Sequence, residues 1–106
     1  MGTKARQKPE RLAEKLVQIR TALGLSQNEM IKRLNAEDVM TQNIISNYEL
    51  GKREPPLLIL LRYSRVAGVH MEALIDDELD LPGNLPGPVK QEEIKRQYNT
   101  RRKSKR

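Results

Sequence analysis

Apolar residues recur along this chain at intervals of three and four, the spacing that places side chains on one face of an α-helix. The first such face comprises Leu12, Leu16, Ile19 and Leu23. Three of the six glycines, a residue type that often ends helices, follow successive apolar stripes at positions 24, 51 and 68. No stretch shows the period-two alternation of a half-buried strand. The pattern therefore predicts an all-α domain of five short helices.

The second and third helices carry start signals of their own. Ser26 and Glu29 have the spacing of a capping box, in which each side chain bonds the backbone N–H of the other residue. Thr41 can cap a third helix that extends to about residue 50. The polar stretch 35–40 is then the connection between these two helices.

A fourth helix is predicted at about 57–67, since Pro55 and Pro56 suit its first turn, and a short fifth helix at 71–75. The expected inward face of the fourth helix comprises Leu57, Leu60, Leu61, Ser64 and Ala67. Leu58 and Ile59 fall outside this stripe and are expected to be partly exposed. They either meet another part of the chain or form a homodimer surface, and the pattern leaves both interpretations open.

The net charge of +6 is concentrated at the two ends of the chain. Residues 1–9 carry +3 and residues 89–106 carry +6, whereas residues 10–76 contain equal numbers of acids and bases. Residues 77–88 carry −3 and contain three prolines, which predicts an acidic, then Pro/Gly-rich linker. Basic, disordered tails around a neutral domain favour a polyanionic partner. A purely solubilising role for the tails stays open.

Composition argues against several classes of function. The chain has no Cys and one His, so we expect no disulfide, metal or cofactor. The acidic run 76–80 lacks the glycine and the ligand spacing of a calcium loop. Without a glycine-rich phosphate loop or a catalytic constellation, the chain is not expected to be an enzyme. No apolar run is long enough to span a membrane, and the N-terminus lacks a signal-peptide core, which predicts a cytoplasmic protein.

The third helix has an unusual polar face. Its apolar residues are Ile44, Ile45 and Tyr48, which leaves an outward face of amides and hydroxyls: Thr41, Gln42, Asn43, Ser46 and Asn47. Asn and Gln can donate to and accept from one adenine at the same time, which makes this face suitable for reading a major groove. An ordinary solvated helix face is the alternative.

Three sequence runs carry a resemblance to a known family. They are LVQIRTALGLSQNEM, IISNYELGKREP and LLRYSRVAGVHMEALID. Together they resemble the XRE-type helix-turn-helix domain, the Cro and lambda-repressor type, over residues 10–76. The resemblance implies a lambda-repressor-like fold that binds double-stranded DNA.

The resemblance also implies roles for particular residues. Gln42, Asn43 and Asn47 match base-reading positions, and Thr41 and Ser46 match contacts to base or phosphate. Positions that contact the DNA backbone are matched by Gln27, Lys52 and Arg53. Arg20 and Glu49 match a partly buried structural ion pair between the first and third helices.

The chain departs from the family pattern between its second and third helices. The turn is about four residues longer than usual, with 36–39 as the insertion, and it adds the acidic Glu37 and Asp38. Ile31 and Asn35 replace the usual Ala and Gly. We expect the larger Ile31 to push the second helix outward or to extend it by a turn.

These observations predict a bacterial or phage regulator of transcription, repressor-like and associated with the nucleoid, that binds DNA sequence-specifically through the helix at 41–50. The basic segment 89–106 would add phosphate contacts. The alternative is a protein-interaction module, such as an antitoxin or an adaptor, that binds a protein partner.

Overall fold

The computed structural model describes residues 8–86, and the predicted basic tail at 89–106 and most of the predicted arm at 1–9 lie outside this range. The described residues form five α-helices and no strand. Their bounds are α1 Leu12–Ala22, α2 Gln27–Arg33, α3 Gln42–Glu49, α4 Leu57–Ala67 and α5 Met71–Ile75. This architecture confirms the predicted all-α, five-helix fold. No helix within this range is long and apolar enough to cross a membrane.

The helix boundaries follow from local capping. The Ser26 hydroxyl accepts from Glu29 N–H at 3.1 Å, and the Glu29 carboxylate accepts from Ser26 N–H at 2.8 Å, which confirms the capping box. At the start of α3, Thr41 Oγ1 accepts from Ile44 N–H at 3.3 Å. A residue with positive φ follows each of the first four helices: Gly24, Asn35, Gly51 and Gly68. This conformation lets the next N–H groups reach back to the last helical carbonyls.

The core is built from α1, α2, α3 and α4, with smaller contributions from α5. Leu16 and Ile19 of α1, Met30 of α2 and Ile45 of α3 are fully buried. Tyr63 of α4 is the largest fully buried side chain, and its hydroxyl has no hydrogen-bond partner in the described part of the chain. Burial raises the pKa of this phenol far above its usual value. The core therefore contains a buried hydroxyl that has no hydrogen-bond partner among residues 8–86.

The inward face of α4 differs from the predicted one. Leu57 is 69% exposed although it was expected to be inward, and Ile59 is 6% exposed although it was expected to be partly outward. The buried face instead comprises Ile59, Leu60, Tyr63, Ser64, Val66 and Ala67. The prediction was wrong because it placed Tyr63 outside the apolar stripe, whereas this ring lies at the centre of the buried face. Leu58, at 69% exposed, is outward as expected.

Residues that follow α5 remain packed against the domain. Leu81 is 7% exposed and belongs to the core, and Leu85 packs against it. As far as residue 86, the segment predicted as a linker at 77–88 therefore lies on the surface of the helical domain.

Candidate nucleic-acid interface

Helices α2 and α3 present one continuous polar surface. Ile45 and Tyr48 bury the inner face of α3, while Met30 and Ile31 bury that of α2. On the outer face of α3, the exposed residues are Thr41, Gln42 and Asn43, and the half-buried ones are Ser46 and Asn47. The most accessible polar side chains therefore lie at the N-terminal end of α3, the end with which a recognition helix meets base edges.

An ion pair between α1 and α3 anchors this surface. Arg20 Nε donates to Glu49 Oε2 at 2.7 Å, and Arg20 Nη2 donates to Glu49 Oε1 at 3.0 Å. The Glu49 side chain is 5% exposed and that of Arg20 is 21% exposed. The hydrogen bonds to Glu49 raise the pKa of Arg20 above its ordinary value. A two-bond fork of this kind fixes the relative orientation of the two side chains, as well as their distance.

Side-chain hydrogen bonds connect this ion pair to the amides of two glutamines. Gln27 Nε2 donates to Glu49 Oε1 at 3.1 Å, and Gln42 Nε2 donates to Gln27 Oε1 at 3.4 Å. A chain of side chains thus runs from Arg20 of α1 through Glu49 and Gln27 to Gln42, and it joins three helices. The two glutamines, one at the start of α2 and the other at the start of α3, are therefore held side by side.

The corner after α3 carries two exposed cations. Gly51 has a φ of 76°, and the following Lys52 and Arg53 donate their backbone N–H groups to the Asn47 carbonyl at 2.9 and 3.3 Å. Their side chains remain exposed. The backbone of this corner is thus fixed to α3, while its two positive charges are accessible to a polyanion.

The long connection between α2 and α3 is folded and does not extend α2. Helix α2 ends at Arg33, with Ile31 buried inside it, so the extra helical turn, one of the two expected effects of Ile31, was wrong. The other, an outward shift of α2, stays a prediction. Asn35 has a φ of 55°, and Ala36 N–H donates to the Ile31 carbonyl at 3.1 Å. Buried Ala36 and Met40 then turn the chain into α3. The N–H groups of Val39 and Met40 donate to the Ala36 carbonyl at 3.1 and 2.9 Å, so the added residues form a compact turn and do not lengthen α2.

The acidic residues of this connection, Glu37 and Asp38, are exposed. Arg62 of α4 donates from Nη1 to the Asn35 carbonyl at 2.9 Å and so ties the turn to the domain. This bond was not predicted from the sequence, because its acceptor is a backbone atom that no residue type marks.

Lys15 is a second residue whose role was not predicted from the sequence. It is fully buried in α1, and its Nζ donates to the Ala73 and Asp76 carbonyls at 2.8 and 2.9 Å. Its position three residues after Leu12 and four before Ile19 lies on the inward stripe, which was the available signal. These bonds hold the end of α5 against α1.

Comparison with protein-family models matches residues 16–74 to the family described as Helix-turn-helix. The match covers more than half of the chain. The chain belongs to the XRE-type helix-turn-helix family. Neither the curated proteins nor the solved structures gave a match. In this XRE-type domain, a lambda-repressor-like fold, α2 and α3 form the helix-turn-helix unit that gives the family its DNA-binding function.

Proposed function

We propose that this XRE-type protein binds double-stranded DNA sequence-specifically and regulates transcription, most simply as a repressor. The N-terminal end of α3 would enter the major groove. The observation that carries the proposal is the hydrogen-bonded chain of Arg20, Glu49, Gln27 and Gln42, which holds two amides at the exposed surface. Side chains held in advance lose less conformational entropy when they bind.

Base reading is assigned to the exposed first turn of α3. Gln42 uses one amide N–H in its bond to Gln27, which leaves its other N–H and its carbonyl oxygen for a base. Asn43 is exposed beside it, and Asn47 lies one turn further along. Gln and Asn pair well with adenine N6 and N7, and each such pair contributes about 1–3 kcal/mol of discrimination.

Phosphate contacts are assigned around this turn. Gln27 is the first residue of α2, where free backbone N–H groups and the helix dipole favour an anion. Lys52 and Arg53 supply charge in the corner that follows α3, and they would position the protein on DNA without specifying sequence. The Thr41 oxygen already accepts from Ile44 N–H, so its O–H remains able to donate to a phosphate or a base, as does that of Ser46.

A homodimer is part of the proposal. Leu57 and Leu58 are exposed at the start of α4, and Ile75 lines one groove together with Leu57. Pairing of two copies through this surface would cover these side chains. Such a dimer would read two half-sites separated by about 34–36 Å, one turn of DNA, or a multiple of that distance.

The test is a selection of binding sites from random duplex DNA with the full-length protein. We expect one enriched motif, and we expect Gln42→Ala or Asn43→Ala to weaken binding to it by about 5–150-fold, the equivalent of 1–3 kcal/mol. Gln18→Ala is the matched control, because it removes an exposed amide from α1. Absence of any enriched motif, or equal effects of the three variants, would overturn the proposal. The protein-interaction alternative would then be favoured.

A further inference from the structure

The long connection between α2 and α3, residues 35–40, is held at its start by a residue of α4. Asn35 lies two residues beyond the end of α2, and its carbonyl accepts from Arg62 Nη1 at 2.9 Å. A cation at this end of a helix is favoured by the helix dipole, and a hydrogen bond from a guanidinium is stronger than one between neutral groups. Arg62 is half-buried, so solvent competes less for this bond. Arg62 therefore fixes the point at which the chain leaves α2.

The other end of the connection is fixed by burial. Ala36 is 0% exposed and Met40 is 4% exposed, and the N–H of Met40 donates to the Ala36 carbonyl. Thr41 follows directly and caps α3 through its bond from Ile44 N–H. The connection is thus a compact unit that begins at the bond from Arg62 and ends at the first turn of α3.

The proposed reading end of α3 lies at this junction and away from the ion pair. Glu49 is the last residue of the eight-residue helix, whereas Gln42 is the first. At about 1.5 Å per residue, these two ends are roughly 10 Å apart. The bond from Gln42 to Gln27 measures 3.4 Å, which is longer than the usual range of about 2.7–3.2 Å for an N–H···O bond. The position of Gln42 therefore depends strongly on the backbone that leads into α3.

We propose that Arg62 is a positioning residue for base reading, which acts by holding the connection 35–40 and thereby the first turn of α3. Arg62 has this role only if α3 reads bases, so the inference rests on the proposed function. A binding side chain must be held to within about 0.5 Å of its productive position, which leaves little tolerance for a loose connection. Phosphate contacts add affinity for any sequence. Loss of the Arg62 bond should therefore reduce discrimination between bases more than it reduces general affinity.

The first test compares two affinities of the same full-length protein. One duplex carries the selected site, and the other is changed at the base pair for which Gln42→Ala loses its preference. Partial unfolding lowers both affinities by the same factor, so their ratio does not depend on stability. We expect Arg62→Gln to lower this ratio at least about fivefold, the lower end of the discrimination given by one bidentate contact. Arg65→Gln removes the same charge from an exposed position of α4 and should leave the ratio unchanged. Equal ratios in these two variants would overturn the inference.

Two conservative variants test whether the bond to the backbone carbonyl is responsible. Arg62→Lys keeps the charge and an N–H donor, and should retain most of the ratio because Asn35 accepts only one bond from this side chain. Asn35→Gly keeps the carbonyl and readily adopts the φ of 55° found here, so it should also retain the ratio. An equal loss in Arg62→Lys and Arg62→Gln, or a loss in Asn35→Gly, would overturn the inference.

Amide hydrogen exchange on the free protein gives a second measurement that needs no DNA. The N–H groups of Val39 and Met40 both donate within the connection, to the Ala36 carbonyl. We expect Arg62→Gln to speed their exchange by about tenfold, the lower end of the effect of a hydrogen bond to a charged group. Lys52 N–H, which donates to the Asn47 carbonyl after α3, is the internal control and should exchange at an unchanged rate. Unchanged exchange at Val39 and Met40 would overturn the inference.

These outcomes are distinguishable from failure of the proposed function itself. Failure of the proposed function would leave no selected motif with which to measure a ratio. Failure of the role of Arg62 alone would retain the motif and its dependence on Gln42, with the same ratio in Arg62→Gln as in Arg65→Gln.

Discussion

The substitution Glu49→Gln tests the ion pair that supports the proposed reading surface. Gln has nearly the same shape and can still accept a hydrogen bond from Gln27, so the change removes the negative charge with little change in packing. It leaves the guanidinium of Arg20 largely buried without a counter-charge, since the Arg20 side chain is only 21% exposed. An unpaired buried charge costs more than the ion pair itself contributes.

The loss of stability expected for Glu49→Gln is smaller than the loss caused by removing one partner of a fully buried ion pair. Removing one partner of such a pair costs about 3–5 kcal/mol. Because a fifth of the Arg20 side chain still reaches solvent, we expect about 2–4 kcal/mol for Glu49→Gln. A loss of about 2 kcal/mol corresponds to a fall in Tm of roughly 8–16 °C in a domain of this size. Replacing both Arg20 and Glu49 by Met should restore much of the stability, because neither charge then remains buried.

Urea denaturation followed by far-UV circular dichroism measures this loss. Glu72→Gln makes the same chemical change at an exposed position of α5 and should alter the free energy of unfolding by less than about 0.5 kcal/mol. If Glu49→Gln is no more destabilising than this control, the pair behaves as an ordinary surface ion pair and the reasoning is refuted. We also expect Glu49→Gln to reduce discrimination at the base pair that we propose Gln42 reads, since Gln27 loses a charged partner.

Two other substitutions test buried and capping groups. Tyr63→Phe removes a buried hydroxyl that has no hydrogen-bond partner in the described part of the chain. Urea denaturation should therefore show equal stability or a gain of up to about 1–2 kcal/mol. A loss of stability above about 1 kcal/mol would contradict this expectation. The Asp77 carboxylate accepts from the N–H groups of Glu10 and Arg11 at the start of α1, and these bonds lower its folded-state pKa below the ordinary 3.8. Its contribution to the free energy of unfolding is therefore fully present above pH 3.8 and is lost as the pH falls through the folded-state pKa. Asp77→Asn should flatten the acid side of the stability profile measured between about pH 2 and 6, and a profile that matches the unsubstituted protein would count against the cap.

The parts of the fold that sequence predicted are those determined within a few residues. The starts of α2 and α3 were predictable because Ser26, Glu29 and Thr41 bond N–H groups three positions away. The end of α4 was predictable because Gly68 takes a left-handed conformation that other residues adopt at a cost. In each case the residue that determines the helix end lies within a few positions of that end, so its residue type could be read directly from the sequence.

Long-range polar contacts were not predictable in this way. Asp77 caps α1 by accepting from the N–H of Arg11, which lies 66 residues earlier, and Lys15 bonds two carbonyls of the α5 region. A carboxylate in an acidic run and a lysine in a helix both have ordinary solvated alternatives, so residue type alone does not indicate burial or capping. The face of α4 was misassigned for a related reason, since only the surrounding helices show that Tyr63 lies at the centre.

Some features of the candidate site were predictable from local sequence signals, and others depend on contacts between distant parts of the chain. The polar face of α3 follows from helical periodicity, but the pairing of Arg20 with Glu49 was expected only from the family resemblance. Other helices hold α3 and the turn that precedes it. Arg20 of α1 and Gln27 of α2 bond α3 through Glu49, and Arg62 of α4 bonds the Asn35 carbonyl in the turn. We therefore expect the proposed sequence preference to depend on the whole domain, so that transfer of residues 42–49 alone into another XRE-type domain does not transfer the complete motif.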